Sequence, residues 1–302
     1  MFHEFAVQPE VMATWAHFRE LFDDFGPSRG RFICEYPGKW RQMVYQLADD
    51  LSPSVRANAI KTKISQHRAR LVPSQGRSFD PTASWPVNAQ ARMRDQPFRA
   101  VIATENPSGS GHTLVAGDFD RGAEPWVCPS QRLVPRSGTA LADCARLLVA
   151  QSNELIFVDP NFDPREPRFS NTFAAILARC SRARSLRRLE IHRRFPDPFV
   201  RGAQEDNYRR RLETIIPENV VLRVCLWQRR DDGQRMHGRF LLAEFGGLQY
   251  DYGLDEGDSP HEQTVVTLMD DALYQQVRSD YEPSTSPFAL PPDAVIEIRG
   301  LG

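Results

Sequence analysis

Apolar residues recur at helical intervals through the first ninety positions of the chain. Val11, Trp15, Phe18 and Phe22 lie three or four residues apart, and Gly26-Pro27 ends the pattern. The stretches KWRQMVYQLADDL and SPSVRANAIKTKISQHRARLV continue in the same way, the second with Pro at the first helical position after Ser52. Turn-forming residues then fill positions 73–97. The pattern predicts an N-terminal helical region with a connector, residues 1–95.

The pattern changes from helical spacing to short apolar runs at Phe98. FRAVIAT and HTLVAGDF are separated by ENPSGSG, which predicts a hairpin. Helical stretches then alternate with continuous apolar runs, among them NELIFVDPNFD, LRRLEIHRR and NVVLRVCLWQ. Such alternation is typical of α/β domains whose sheet is covered on both faces. We therefore predict an α/β domain over residues 96–302, with a mainly parallel sheet flanked by helices.

Composition and charge narrow the class of protein. The 302 residues are 41% hydrophobic and 25% charged, and 38 basic side chains nearly balance 39 acidic ones. Because no overall field attracts nucleic acid or anionic lipid, any such binding has to come from a local patch. The first residues show no signal-peptide pattern, and no apolar run is long enough to span a membrane. We expect a cytoplasmic protein without a transmembrane segment.

Five scattered cysteines, none of them in a Cys-x-x-Cys pair, argue against both a disulfide framework and a zinc site. The acidic stretch DYGLDEGD does not have the spacing of a calcium loop. The stretch PSGSGH lacks the Gly-Lys-Ser ending of a phosphate-binding loop. We accordingly expect neither a metal nor a cofactor.

Candidate chemistry collects where apolar strands end, because functional groups in such sheets lie at the carboxyl ends of strands. Asp159 follows LIFV, His192 follows LEI, and His237 and Arg239 flank Gly238 before a further apolar run. In an extended segment, His237 and Arg239 share one face. Arginine can bind a phosphate through two hydrogen bonds, and histidine can attack phosphorus or donate a proton. Glu244 and Asp255 are the candidate partners of Arg239 and His237.

The order of these residues resembles the phospholipase D superfamily, whose motif is His-x-Lys-x4-Asp followed by a Gly-Ser-x-Asn-like segment. His237, Arg239 and Glu244 stand at its His, Lys and Asp spacings, and Gly253-Leu254-Asp255 follows. The closer likeness is to the phospholipase D-like C-terminal domain of microtubule-interacting-and-trafficking proteins. That domain also has His-x-Arg and a strand that ends in Asp-Pro. Its Gly-x-Gly-Leu-Asp closure corresponds here to Asp251-Tyr252-Gly253-Leu254-Asp255, which lacks the first glycine. The resemblance covers about Leu141 to Tyr281.

The resemblance implies a metal-independent, two-step phosphoryl transfer in which one histidine becomes a phosphohistidine and a second protonates the leaving group. This chain has one such motif, so catalysis needs either a homodimer with two copies of His237 or His192 as the second histidine. The resemblance to soluble bacterial-type modules implies a restriction or antiviral-defence nuclease. The microtubule-interacting relatives are expected to bind phosphoinositides without cleaving them.

A basic stretch at residues 209–211, with Arg193 and Arg194 before it, is either a phosphate-backbone patch or the charged surface of a sheet-covering helix. We name Arg193, Arg210 and Arg239 as candidate phosphate ligands, and His237, Arg239, Glu244, Asp255 and His192 as candidate catalytic residues. Two functions stay open. One is a nuclease or other phosphodiesterase that uses His237. The other is a degenerate module that binds a phosphate ligand or partner proteins in a larger assembly.

Overall fold

The computed structural model describes residues 1–231 and 233–302. Two compact units are present, Phe2–Pro129 and Ser130–Gly302, and each has its own sheet. Both units mix helices with strands, so the predicted α/β class is confirmed. In the described part of the chain, no helix combines the length and apolarity needed to cross a bilayer.

The first unit is built on a parallel sheet of five strands in the order β3-β2-β1-β4-β5. Its strands are β1 (His3–Val7), β2 (Arg31–Glu35), β3 (Leu71–Pro73), β4 (Ala100–Ala103) and β5 (Thr113–Val115). Its helices are α1 (Pro9–Ala13), α2 (Trp15–Leu21), α3 (Trp40–Leu51), α4 (Ser54–Gln66) and α5 (Trp85–Arg92). Phe5, Ile33 and Ile102 of the strands pack with Trp40 and Ile60 of the helices.

The predicted N-terminal helical region and its boundary near residue 95 are therefore wrong. Strands β1, β2 and β3 are only three to five residues long; β1 and β2 lie outside the helical stretches on which the prediction rested, and β3 falls at the end of one of them. Strands β4 and β5 complete the same sheet, because Phe5 of β1 aligns with Ala100 of β4. The predicted hairpin is also wrong, since β4 and β5 run parallel with Val101 beside Thr113.

The second unit carries a mixed sheet of eight strands in the order β13-β9-β8-β7-β10-β11-β12-β6. Its strands are β6 (Gln131–Pro135), β7 (Glu154–Val158), β8 (Arg188–Arg194), β9 (Val221–Trp227), β10 (Phe240–Ala243), β11 (Gly246–Tyr250), β12 (Gln263–Leu268) and β13 (Val295–Arg299). Its helices are α6 (Gly138–Val149), α7 (Pro167–Arg179), α8 (Arg201–Leu212) and α9 (Asp271–Asp280).

Only β7, β8 and β9 pair in parallel in this sheet, and every other pair is antiparallel in the described residues. The prediction of a mainly parallel sheet is therefore wrong for this unit. Short turns such as the one between β10 and β11 connect neighbouring strands directly, and a direct connection of that length requires antiparallel pairing.

The two faces of the eight-stranded sheet are covered by different helices. Phe157 of β7 contacts Phe173 of α7, with ring centroids 4.8 Å apart. Its neighbour Val158 points the other way and packs with Tyr274 and Val277 of α9. We call these the α7 face and the α9 face. Polar side chains on different faces are separated by the sheet and cannot meet.

Candidate functional site

Strand directions bring several candidate residues to one edge of the eight-stranded sheet. The parallel strands β7, β8 and β9 end at this edge, which we call the carboxyl edge. Strands β11 and β6 also end there and β10 begins there, because each antiparallel pairing reverses the direction. Asp159 after β7, Asp255 after β11, Arg136 after β6 and Arg239 before β10 therefore lie at the same edge, as the sequence predicted for three of them.

Asp159 connects the end of β7 with the turn that follows β11 through hydrogen bonds. The side chain is 1% exposed. One carboxylate oxygen accepts a hydrogen bond from the backbone N–H of Asn161 and the other from that of Leu254, both at 2.9 Å. Burial raises the pKa of Asp159, and these two N–H groups only partly oppose it. Asp159 is thus positioned to hold the 253–255 turn in place.

Asp255 orients two arginines from other elements. Its Oδ2 lies 3.1 Å from Nη2 of Arg136 and 3.3 Å from Nη1 of Arg168, which is in the first turn of α7. Burial raises the pKa of Asp255, and the two guanidinium groups offset only part of that rise. Arg136 also pairs with Glu262 at 2.6 Å and lies 5.0 Å from the centre of the Tyr252 ring. These contacts fix both arginines at the edge of the sheet.

A cavity of about 250 Å³ opens between these groups. It is lined by Arg136, Asp159, Asn161, Arg168, Phe169, Tyr252 and Asp255. Gly253 adjoins it with a backbone φ of +148°, a region that favours glycine. A Cβ atom at Gly253 would lie 2.5 Å from Oδ1 of Asp255, 3.0 Å from Oδ2 of Asp159 and 3.6 Å from Cδ of Arg239. Glycine therefore keeps open the space that these three side chains share.

Arg239 differs from Arg136 and Arg168 because no carboxylate of the described residues pairs with it. Its Nη1 donates a 3.3 Å hydrogen bond to the backbone oxygen of Asp251. Its Nε, like that of Arg136, is buried and has no hydrogen-bond partner in residues 1–231 and 233–302. The nearby carboxylate of Asp159 is already used by two backbone N–H groups. A partly buried cation without a counter-ion is costly, so this arrangement favours an external anion.

His237 is exposed and lies just outside β10, two residues before Arg239. Its imidazole makes no hydrogen bond to the described residues, and it does not line the cavity. Asp255, proposed from sequence as its orienting partner, instead bonds to Arg136 and Arg168. The structure therefore brings Asp159, Arg239 and Asp255 together and leaves His237 beside them at the surface.

Glu244 lies at the opposite edge of the sheet, so its predicted place beside Arg239 is wrong. It follows β10, whereas Arg239 precedes that strand. Its Oε2 accepts a 2.8 Å hydrogen bond from Nδ2 of Asn153, and its Oε1 lies 3.3 Å from Arg187. The motif spacing was correct in residue number, but four strand residues separate the two side chains across the sheet.

His192, the other candidate for the second histidine, is buried on the α9 face and does not line the cavity. It aligns with Val158, whose side chain faces α9, whereas Asp159 is the next residue and faces α7. Nδ1 of His192 accepts a 2.8 Å hydrogen bond from Trp227 Nε1, so Nε2 carries the proton and donates to Glu190 at 2.9 Å. Burial lowers the pKa of His192. Both ring nitrogens are thus occupied by internal bonds.

The other two candidate phosphate ligands lie away from the cavity. Arg193 donates to the hydroxyl of Tyr208 at 3.4 Å and to the backbone oxygen of Arg194 at 3.2 Å. Arg210 is on α8 with its side chain 76% exposed, and it lies 3.7 Å from Asp206. Its surroundings are those of a solvated helix face.

Sequence reasoning missed Arg136, Asn161, Arg168 and Tyr252. Arg136 directly follows a mostly exposed strand, β6 (QRLVP), which the sequence pattern did not indicate. Arg168 stands at the second position of α7, immediately after the loop that Asp159 opens. A signal did exist, because the first turn of a helix after a strand lies at the carboxyl edge in α/β folds.

No group of three or more His, Cys, Asp or Glu side chains in the described ranges is arranged to hold a metal ion. No protein-family model matches the chain, and no curated protein is significantly similar to it.

Proposed function

We propose that the carboxyl edge of the eight-stranded sheet binds the phosphate group of a ligand. The observation that carries the proposal is Arg239, a guanidinium with a buried, unpartnered Nε and no paired carboxylate in the described residues. Guanidinium groups bind phosphate oxygens through two parallel hydrogen bonds. The resemblance to phospholipase D-like modules, in which the equivalent basic residue follows the motif histidine, is a second and independent support.

Arg168 is the second phosphate ligand in this proposal. Asp255 holds its Nη1 at 3.3 Å, and its side chain is 36% exposed beside the cavity. Arg136 is 9% exposed and bonds to both Asp255 and Glu262, so its role is to position Asp255. Asp159 and Asp255 accordingly act as positioning residues that keep the arginines and the 253–255 turn in place.

The test is the thermal stabilisation of the full-length protein by inorganic phosphate and pyrophosphate. A ligand at a hundred times its Kd stabilises the folded state by about 2.7 kcal/mol. Arg239→Gln and Arg168→Gln should each reduce that stabilisation. Arg210→Gln is the matched control, because it removes a guanidinium that pairs only with Asp206 in the described residues. Equal stabilisation of the wild type and Arg239→Gln would refute the proposal.

Cleavage of a phosphodiester is a second candidate, favoured by the exposure of His237 two residues from Arg239. A His237 nitrogen would attack phosphorus, the bond to the leaving oxygen would break, and a second histidine would protonate that oxygen. His192 does not qualify, because Glu190 and Trp227 occupy both its nitrogens. The second histidine would then be His237 of a second copy in a homodimer.

Assays on labelled DNA, RNA and phospholipid separate the two candidates. Metal-independent cleavage should survive EDTA, disappear in His237→Ala and rise with protein concentration as a dimer forms. Cleavage that persists in His237→Ala would remove this residue from the mechanism. Phosphate binding without any cleavage would support the binding function and refute the catalytic one.

A further inference from the structure

A second depression of about 550 Å³ lies at the carboxyl edge, beyond the ends of β8 and β9. We call it the aromatic pocket; its apolar wall is made by Phe195, Phe199, Trp227 and Met236. Phe195 directly follows β8, and its backbone N–H donates a 2.8 Å hydrogen bond to the oxygen of Trp227. The rings of Phe195 and Phe199 have centroids 4.5 Å apart, and both are only partly buried. Aromatic surface is therefore accessible at this point.

Positive charge surrounds the aromatic pocket. Arg194, Arg229 and Arg235 line it and are exposed, against one lining carboxylate, Asp197, in the described residues. No carboxylate of the described chain pairs with Arg194 or Arg235, and Arg229 donates through Nε to the backbone oxygen of Gly233. Aromatic rings combined with unpaired arginines suit a ligand that has both a flat ring and negative charge.

The chain itself connects the aromatic pocket with the phosphate site. Met236 lines the pocket, Arg239 belongs to the phosphate site, and the exposed His237 lies between them. Three residues span at most about 10 Å. A lone phosphate cannot reach both places, whereas a nucleotide or a short single strand can. Double-stranded nucleic acid is disfavoured, because its bases are stacked and cannot enter a pocket.

We infer that the aromatic pocket receives a nucleobase, so that the ligand class of the phosphate site is single-stranded nucleic acid. The inference rests on the proposed function. It assigns Phe195 and Phe199 to base stacking and Arg194 and Arg235 to the flanking phosphates. His237 then lies beside the phosphodiester between the two subsites.

The experiment compares a fluorescently labelled octamer of deoxythymidylate with an octamer of abasic deoxyribose phosphate. Stacking on an aromatic ring contributes about 5- to 150-fold in affinity per base. The wild type should therefore prefer the octamer with bases by a factor in that range. Phe195→Leu keeps apolar volume but removes the ring, and it should abolish this preference while leaving abasic binding unchanged.

The control variant is Phe245→Leu, which removes an exposed phenylalanine in the turn between β10 and β11 at the opposite edge of the same sheet. It should bind both octamers like the wild type. If Phe195→Leu fails to fold, Arg194→Gln combined with Arg235→Gln replaces it, because both side chains are exposed. The salt dependence of octamer binding should then become weaker by about 0.7 in the log–log slope for each lost phosphate contact.

The outcomes separate this inference from the proposed function. Equal binding of the two octamers by the wild type would overturn the inference, even if Arg239→Gln still weakened both. A base preference that survives in a folded Phe195→Leu protein would also overturn it, as would an unchanged salt dependence of octamer binding in the double arginine variant. A base preference that disappears in Phe195→Leu supports it, and if Arg239→Gln had no effect the phosphate site alone would be refuted.

Discussion

Two charged clusters of the eight-stranded sheet differ in whether their polar atoms are already used. On the α9 face, the carboxylate of Glu190 accepts from His192, Arg188 and Arg223 at 2.9, 2.7 and 3.0 Å. At the carboxyl edge, Arg239 has one 3.3 Å bond to a backbone oxygen and no paired carboxylate in the described chain. In the first cluster the cations share an internal carboxylate, whereas in the second Arg239 has no paired carboxylate in the described residues and can bind a ligand.

The comparison shows why a buried histidine beside a carboxylate is not by itself a catalytic pair. Burial alone would raise the pKa of Glu190, but hydrogen bonds from His192 and Arg188 outweigh it and hold the pKa at about 2. Because the neutral His192 donates through Nε2 and accepts through Nδ1, it has no free lone pair to act as a base. It bonds to and stacks on Trp227 inside the protein.

Glu190→Ala should have the largest effect on stability. The substitution leaves Arg188, Arg223 and His192 around a buried space without their shared acceptor. Removing one partner from a buried ionic cluster costs about 3–5 kcal/mol. Urea unfolding of the wild type and the variant measures this cost, and a loss below about 1 kcal/mol would contradict the structural role of the cluster.

The two clusters should respond to acid in opposite directions. The pKa of Glu190 is lowered from 4.5 to about 2, so its stabilisation is present above pH 4.5 and is lost as the pH falls toward 2. The free energy of unfolding of the wild type should fall relative to that of Glu190→Gln across this pH range, by up to about 3 kcal/mol. The pKa of Asp159 is raised above 3.8, so its contribution is present at low pH and lost as the pH rises. The free energy of unfolding of the wild type should therefore rise relative to that of Asp159→Asn on acidification. The same pH trend for both variants would refute the opposite responses expected of Glu190 and Asp159.

Gly253→Ala, at the carboxyl edge, should lower the free energy of unfolding by less than Glu190→Ala does. The new Cβ would lie 2.5 Å from Oδ1 of Asp255, and the alanine backbone would have to keep a φ of +148°. Strain of this kind costs about 1–3 kcal/mol, and we expect phosphate binding to weaken as well. Gly202→Ala is the control, because it lies in α8 with no atom within 4 Å of the new Cβ. It should change the free energy of unfolding by less than about 0.5 kcal/mol, because the substitution meets no neighbouring atom.

Arg239→Gln should have the smallest effect on unfolding, less than about 1 kcal/mol, because no ion pair in the described residues is broken. Arg188→Gln is the matched variant from the Glu190 cluster, where the guanidinium contacts both Glu190 and Glu282. We expect that variant to lose several times more stability in the same urea titration. Similar losses for the two arginines would show that Arg239 is also part of an internal network.

The alternation of helices and apolar strands made the order of elements from α6 to β11 predictable. LIFV is followed by Asp-Pro because β7 ends there, and a polar residue after a buried strand reaches the sheet edge. Arg239 was found because it precedes an apolar run, and Asp255 was named as a candidate partner of His237. The first unit was harder, because strands of three to five residues between helices carry too few positions to show a period of two.

Tertiary structure alone decided which of these side chains meet. Asp255 and Arg136 are 119 residues apart in the chain and 3.1 Å apart in space, a contact that only the strand order creates. Local sequence determined that His192 stands near a strand end and Glu244 follows a strand. Because successive strand residues face opposite sides and antiparallel strands end at opposite edges, register placed His192 on the α9 face and pairing placed Glu244 at the far edge.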